Sequence, residues 1–381
     1  MLDAVRTCVA SKQTLKLLTM LPQIVIVLAA RELVRKNALV ADVTDRILSV
    51  RSPQIPIRNL KLKFIMRDDD HLKIGRSVAL AMAMRLESLR FILCDSGVHS
   101  VLRVEHPRLV VLDITDGYFS TVELSYLPKL QRMSYSRWHY AKNPLVLGFV
   151  PRLSNLSLSS AYAYSDNTIN LSQLLANVPL ITDLHLDFQS EKVCVHQEFG
   201  KLLAPLLRKF WVYICTPMTH GGSVHGIAWT LSFLEAAPSL EELCITVSDH
   251  KCEPDSRQDY TREKHVKWEP SVADFKHKNL AKLTIHGFES PPSSPLVSVP
   301  DFTSYIKCVM KVAVNIREIS LHDRKVCICS NKSSPSRYPR TRKEEAFLRK
   351  KITEALVTAS PDVIHFRLSS YYSSLNIEYY V

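Results

Sequence analysis

The chain has 381 residues, of which 46% are hydrophobic and 23% are charged, a composition that excludes general disorder and indicates a folded protein. Its length suits either two ordinary domains or one elongated array of repeats. The formal net charge of +12 leaves an anionic partner open, while the nine glycines include no phosphate-binding loop motif.

One spacing of apolar residues recurs along the chain: an apolar residue, a second three positions later and a third two positions after that. The clearest copy is Pro238-Ser239-Leu240-Glu241-Glu242-Leu243-Cys244-Ile245. Counted from their first apolar residue, the copies begin at positions 57, 86, 109, 130, 153, 181, 207, 240, 280, 316 and 363. The early spacings of 21 to 29 residues are typical of leucine-rich repeats, and the later ones are lengthened by insertions.

The alternation at the end of each copy predicts a short strand with one buried face. A single repeat cannot bury that face, but stacked neighbours can. We therefore predict an α/β fold, an irregular leucine-rich-repeat solenoid shaped like a horseshoe, with a parallel sheet on the concave side and short helices on the convex side.

The predicted elements begin with a helix to about Leu18 and a strand from Ile24 to Leu28. The apolar run Leu17 to Ala30 could mimic a signal peptide, but Pro22 and Gln23 interrupt it, so we disfavour secretion. Further helices are predicted at Asp42 to Val50, with Asp42 as the cap, and at Leu72 to Met82. Others are expected at Asn170 to Asn177, across Ile227, Leu231 and Leu234, and from Phe302 to Ala313.

The N-terminal segment Asp3-Ala4-Val5-Arg6-Thr7-Cys8-Val9, followed by Leu21-Pro22-Gln23-Ile24-Val25, resembles the second half of the F-box in plant F-box proteins with leucine-rich repeats. Thr14-Leu15-Lys16-Leu17-Leu18 stands where that family has tryptophans, and the leading half of the motif is missing. The resemblance thus implies an F-box remnant that caps the solenoid, and we expect this chain to bind no Skp-type adaptor tightly.

The C-terminal segment resembles the FBD-type region of plant F-box proteins, particularly those of grasses. Phe275-Lys276-His277-Lys278-Asn279-Leu280 and Arg340-Thr341-Arg342-Lys343-Glu344-Glu345 carry this likeness. With it, we divide the chain into an F-box remnant at 1–30, leucine-rich repeats at 31–278, and FBD-like repeats with a basic segment at 279–381.

Residues between the buried positions of each strand should point onto the concave sheet. In the middle of the array these are Asp183, His185, Asp187, Lys209, Trp211 and Tyr213. Because exposed Trp and Tyr are favoured anchors of protein interfaces, we take these six as candidate partner-binding residues. The alternative is that a neighbouring loop covers them.

A second candidate is the basic stretch from Arg324 to Lys351, where ten Lys or Arg residues face only Glu344 and Glu345, a net charge of +8. Its predicted patch comprises Arg337, Arg340, Arg342 and Lys343. This stretch supports an alternative function, binding nucleic acid or another anionic surface, although charge runs are usually solvated faces.

Nothing in the sequence predicts catalysis, a cofactor or a metal. Gly221-Gly222-Ser223-Val224-His225-Gly226 lacks the second glycine of a nucleophile elbow. His250, Cys252 and His265, and the pair Cys327 and Cys329, do not have the spacing of zinc ligands. Asp68, Asp69 and Asp70 are expected to be exposed in a turn.

The sequence therefore predicts a protein-interaction module without enzyme activity. The resemblance implies a substrate-recognition subunit related to SCF-type ubiquitin ligases, with an unknown protein client. A Skp-type adaptor and a cullin complex become partners if an upstream segment completes the F-box. A secreted receptor is disfavoured because its characteristic repeat motif is absent. Nine cysteines, an odd number, favour a reducing compartment, the cytoplasm or nucleus, and no membrane partner is expected.

Overall fold

A computed structural model describes residues 20–27, 30–52, 54–65, 86–94, 101–115, 119–138, 145–160, 174–175, 177–188, 205–215, 227–248, 274–290, 302–323, 337–354, 356 and 360–368. The chain divides into two compact units, Met1–His196 (unit 1) and Gln197–Val381 (unit 2). The domain boundaries predicted from the sequence, which follow motifs, stay a prediction.

The described residues form fifteen strands: β1 Gln23–Ile26, β2 Asn59–Ile65, β3 Ser88–Cys94, β4 Val101–Glu105, β5 Val111–Thr115, β6 Thr121–Tyr126, β7 Arg132–Trp138, β8 Leu145–Phe149, β9 Asn155–Ser160, β10 Asp183–Phe188, β11 Lys209–Cys215, β12 Glu242–Ser248, β13 Lys282–His286, β14 Glu318–His322 and β15 Ile364–Arg367. Twelve of them, seven in unit 1 and five in unit 2, belong to the sheets that carry the repeat frame, and we call these the main strands. In unit 1 their order is β1-β2-β3-β5-β7-β9-β10, and in unit 2 it is β11-β12-β13-β14-β15.

Neighbouring main strands pair in parallel, and the repeat frame sets their register. In unit 1, Leu89 lies beside Leu112, which lies beside Met133, and each of these side chains is fully buried. One backbone carbonyl per repeat accepts two hydrogen bonds from the next repeat. The Gln131 oxygen, for example, accepts from the N–H groups of Ser154 and Asn155, both at 3.0 Å. The predicted parallel leucine-rich-repeat sheet is confirmed.

Unit 1 contains a second parallel sheet, with the order β4-β6-β8, where the sequence predicted convex helices. These strands alternate with β3, β5, β7 and β9 along the chain, so each connects one main strand to the next. Their inward residues Val104, Leu124 and Leu147 are in register and buried. No particular helix was predicted in this stretch, and the strands form because period-two alternation occurs in these connections as well.

The first helix is longer than predicted. It runs as α1 over Ala30–Ser49, with a kink at Lys36, so Asp42 lies inside the helix and does not cap it. Val43 and Ile47 are buried, as their one-turn spacing predicts. The predicted helices to Leu18 and over Leu72 to Met82 lie outside the described residues.

In unit 2, the described helices lie between β11 and β12, between β13 and β14, and between β14 and β15. A short 3-10 turn, Ala228–Leu231, leads into α2 (Ser232–Ala236), and α3 spans Phe302–Val312. The predicted apolar positions of these segments, among them Ile227, Leu234 and Ile306, are buried. A fourth helix, α4, spans Arg342–Thr353 and packs against α3.

Side chains tie consecutive repeats of unit 2 together. The buried His277 ring places Nε2 3.1 Å from the Ala237 carbonyl oxygen, and its Nδ1 accepts from the Leu280 N–H at 3.0 Å. Asn279 donates to the Pro238 oxygen at 2.8 Å, and Asn315 donates to the Lys278 oxygen at 2.7 Å. These bonds hold each turn against the repeat before it.

The last repeat is two residues out of the predicted register. The frame starting at Val363 required Phe366 and Leu368 to face the core, but β15 places Ile364 beside Ile319 and Phe366 beside Leu321. Ile364 is buried, whereas Leu368 is 68% exposed. A shift of two keeps the same face inward, so alternation alone could not distinguish the two registers.

Candidate interaction surface

The outward face of β11 carries three of the predicted partner-binding residues. Phe210 and Val212 are buried, while Lys209, Trp211 and Tyr213 between them are half-buried. The inside and outside assignment of this strand is thus confirmed, because a slip of one residue would have exchanged the two sets. The face itself is presented by a backbone that pairs with β12 along all seven of its residues.

Neighbouring strands of unit 2 extend this face in register. Trp211 lies beside Cys244, which lies beside Thr284. One row of residues runs across four strands with alternating charge: Lys209, Glu242, Lys282 and Glu318. Alternating rows give a surface that is polar without a large net charge, which favours partners with complementary charges over a purely anionic polymer.

The far end of the same face carries imidazoles and an ion pair. The rings of His286 and His322 stand 4.3 Å apart between centroids. Arg367 binds Glu318 at 2.8 Å, and Ser320 donates to the same carboxylate at 2.7 Å. Burial and the positive charge of Arg367 lower the pKa of His322, so this ring stays neutral at neutral pH. These residues were not predicted from the sequence, although taking every second residue of each strand would have found them.

In unit 1, β10 carries the other three predicted residues. His185 and Ser157 lie in register on β10 and β9, with 3.3 Å between Nδ1 and Oγ. Ser159 donates to Asp187 Oδ2 at 3.0 Å, and Thr182 donates to Asp183 at 2.7 Å. Asp183 and His185 are half-buried, but Asp187 is only 5% exposed.

Burial changes the protonation of this acidic strand end. It raises the pKa of Asp187 to about 6, against the opposing effect of the Ser159 hydrogen bond, and it lowers the pKa of His185. Asp187 Oδ1 is buried and makes no hydrogen bond within the described residues. This buried carboxylate oxygen can therefore still accept a hydrogen bond.

Hydroxyl groups and one ion pair occupy the outward face of the preceding strands. Ser136 donates to Thr115 Oγ1 at 3.2 Å, and Arg90 binds Asp113 at 2.6 Å. All six predicted partner-binding residues therefore lie on strand faces that point away from the buried core, three in each unit, and their role in binding stays a prediction.

The predicted basic patch divides into two kinds of residue. Arg337 binds Glu289 at 2.7 Å, and Arg340 binds Asp323 at 2.6 Å, with both carboxylates nearly buried. The Arg340 guanidinium also lies 5.6 Å from the centre of the Tyr338 ring. Arg342 and Lys343 are exposed and form no ion pair with a described carboxylate. Of these four described residues, the second pair is therefore free to meet a partner's charge.

The described residues contain no group of three or more His, Cys, Asp or Glu that could hold a metal. The sequence candidates for such a site, His250, Cys252, His265, Cys327 and Cys329, lie outside the described residues, as do Gly221 to Gly226 and Asp68 to Asp70. Among the helices that the structure describes, none combines the length and the apolar character that crossing a membrane requires.

Comparison with known proteins adds the family. Residues 54–343 match the family described as "At1g61320/AtMIF1, LRR domain", which is named after a plant protein. A comparison with curated proteins finds no significant match. The matched range covers most of the chain and includes main strands of both units. Together with the parallel strands and their repeat register, this match shows that the chain belongs to a plant family of leucine-rich-repeat proteins and serves as a protein-interaction module.

Proposed function

We propose that the chain recognises a protein client through the outward face of its main strands, as a substrate-recognition subunit related to those of SCF-type ubiquitin ligases that does not itself bind a Skp-type adaptor tightly. The half-exposed Trp211, fixed on β11 between the buried Phe210 and Val212, is the observation that carries the client-binding part. Tryptophan and tyrosine on a rigid backbone bury much area at little cost in conformational entropy, which makes them effective anchors.

The ligase part rests on the F-box and FBD resemblance of the two ends of the sequence. The described region supports it by offering a recognition surface, and we propose that the chain is not itself an enzyme. The described Cys244 carries a free thiol, which supports a reducing compartment such as the cytoplasm or nucleus.

The test is affinity purification from plant extract with quantitative mass spectrometry, using the wild type and the double variant Trp211→Ala, Tyr213→Ala. We expect recovery of the client to fall roughly tenfold or more in the double variant because the anchors are lost. Tyr126→Ala is the matched control, since Tyr126 is an aromatic residue exposed elsewhere, on the β4-β6-β8 sheet.

Two results would contradict this proposal at different points. Client recovery that is unchanged in the double variant rejects the outward face as the binding surface. Recovery of a Skp-type adaptor and a cullin in amounts equal to the chain, in wild type and variant alike, rejects the expectation that the chain does not bind the adaptor tightly. A thermal melt of the double variant that matches wild type excludes unfolding as the cause of lost binding.

A further inference from the structure

Helix α4 exposes an aromatic ring at the centre of a positively charged face. Phe347 is 66% exposed, which is unusual for so large an apolar side chain. On a helix its nearest neighbours are the residues three and four positions away. These include Lys343, Lys350 and Lys351, of which the first two are exposed and the third is half-buried. We call these four residues the basic helix face.

The opposite side of α4 fixes this face in place. Leu348 and Ile352 are buried. Arg349 donates from Nε to the Ile364 carbonyl oxygen at 3.0 Å, and its guanidinium lies 5.1 Å from the centre of the Phe366 ring. The basic helix face is therefore held by packing against the core and does not need to be ordered by a partner.

The N-terminus of α4 is fixed as well. Thr341 Oγ1 accepts from the Glu344 N–H at 3.3 Å, and Glu344 accepts from the Thr341 N–H at 3.0 Å, which completes a capping box. Such a cap satisfies backbone N–H groups that the first turn of a helix otherwise leaves unpaired, and so stabilises the helix start. The helix therefore starts at a defined residue, and its exposed side chains have defined positions.

The carboxylates of α4 do not neutralise the lysines. Glu344 is occupied by the backbone N–H groups of Arg340 and Thr341, which lower its pKa, and Glu345 binds Arg349 at 3.2 Å on the packed side. Lys343, Lys350 and Lys351 form no ion pair with a carboxylate of the described residues. Three positive charges thus surround Phe347.

We propose that the basic helix face docks into an apolar pocket rimmed by aspartate and glutamate on a partner protein. An apolar anchor surrounded by charged side chains is the usual anatomy of a protein interface, in which the centre is dry and the rim is polar. Burying a phenylalanine side chain removes a large apolar surface from water, and lysine stems pack beside it while their ammonium groups reach the acidic rim.

A protein pocket fits this face better than a nucleic acid. Single strands bind by stacking successive bases on several aromatic side chains, and α4 contains one aromatic residue, Phe347. Double strands are bound through phosphates, which leave an exposed phenyl ring in water. Arg337 and Arg340, which a phosphate backbone would favour, are already bound to Glu289 and Asp323.

This docking surface is independent of the proposed client face, so it can be tested separately. The full chain is used to select binders from a random peptide library displayed on phage, and each enriched peptide is measured by fluorescence anisotropy. The same measurement uses an oligouridylate of about 20 nucleotides as the nucleic-acid probe. The variants are Phe347→Ala, the double reversal Lys343→Glu with Lys350→Glu, and Lys278→Glu as a control at an exposed lysine elsewhere in unit 2.

We expect enriched peptides that combine acidic residues with an aliphatic or aromatic residue. Their affinity should fall roughly tenfold or more in Phe347→Ala and in the double reversal, and should stay unchanged in Lys278→Glu and in the Trp211→Ala, Tyr213→Ala variant. The proposal is overturned if no such peptides are enriched, or if Phe347→Ala binds them as tightly as wild type. Oligouridylate binding that depends on Phe347 also overturns it, in favour of a nucleic-acid site.

Discussion

Between β3 and β9, unit 1 returns the chain through the short strands β4, β6 and β8, whereas unit 2 returns it through helix α3 between β13 and β14 and helix α4 between β14 and β15. The returning strands have five or six residues, and these two helices have 11 and 12. A strand advances about 3.3 Å per residue and a helix about 1.5 Å, so both kinds of connection cover about 17 Å.

Repeat length decides which connection is used. From Leu86 to Leu153 successive repeat origins are 21 to 23 residues apart, which leaves room for a strand and two turns. From Leu280 to Ile316 the distance is 36 residues, which accommodates a helix of 11. The same core can therefore be closed by either element, and the residues available per repeat, more than helix propensity, select between them.

The largest expected effect comes from breaking the element that both units share, the buried main-strand position. Leu243 is fully buried in β12, between Phe210 and Leu283 in the register of β11 and β13. Leu243→Asp places a carboxylate there, and we expect it to destabilise unit 2 by about 4 kcal/mol or more. Circular dichroism melts and hydrogen exchange of peptides from unit 2 measure the loss.

Thr246→Asp is the control for this experiment, because Thr246 lies on the same strand but on its half-buried outward face. It should change stability by less than about 1 kcal/mol. Greater destabilisation by Thr246→Asp than by Leu243→Asp would show that the true register of β12 differs by one residue, with Thr246 inward and Leu243 outward.

A smaller effect is expected where unit 1 differs from unit 2. A side chain at Gly148 in β8 would place its Cβ 2.8 Å from the carbonyl oxygens of Leu124 and Ser125 in β6. Backbone carbonyls cannot move aside without separating the strands, so Gly148→Val should cost about 2–4 kcal/mol. Urea denaturation measures this cost, and exchange of the Leu127 N–H, which bonds to the Phe149 oxygen at 2.9 Å, localises it.

Val146→Thr is the matched change in the same strand, at a side chain that is 49% exposed. It should leave both measurements near their wild-type values. If Gly148→Val also leaves the stability at its wild-type value, the β4-β6-β8 sheet does not contribute to the stability of unit 1. The difference between strand and helix connections would then have no effect on stability.

The sequence predicted the main strands well because their buried positions repeat at fixed offsets. The frame at Leu109, Leu112 and Ile114, for instance, is fully buried as expected. Prediction from the sequence failed where two strand registers share the same alternation. In the last repeat a shift of two residues preserves the inward face, and only the pairing of Ile364 with Ile319 settles the register.

The candidate surface was predicted in part by the same alternation. Alternation places Trp211 outward. The alternation gives no information about how far neighbouring side chains cover an outward residue, so the burial of Asp187 was not predicted. Likewise, charge counting grouped Arg337 and Arg340 with Arg342 and Lys343. The first two bind carboxylates that are distant in sequence, Glu289 and Asp323, and no local pattern reveals such pairs.

The smallest expected effect on stability concerns β10 of unit 1, where a buried carboxylate lies on the outward face. Burial raises the pKa of Asp187 to about 6, whereas an unfolded aspartate titrates near 4. The folded state therefore binds the proton more tightly than the unfolded state. It follows that the ionised carboxylate lowers the free energy of unfolding above pH 6, and that this penalty disappears as the pH falls from 6 to 4.

Asp187→Asn removes the charge and keeps an oxygen that can accept from Ser159, so it should stabilise the protein at pH 7.5 by about 1–2 kcal/mol. The advantage should decrease through the window from pH 6 to pH 4 and vanish below it, because the wild-type carboxyl is then protonated in both states. Urea denaturation of both proteins at pH 7.5, 6, 5 and 4 gives the difference directly.

If the Asp187→Asn variant were instead less stable than wild type at pH 7.5, the carboxylate would have to be held by a positive charge in the folded protein, and its unused oxygen would no longer be available to a partner. A stabilising Asp187→Asn that also weakens client recovery would mean that unit 1 keeps a destabilising charge on its outward face for binding.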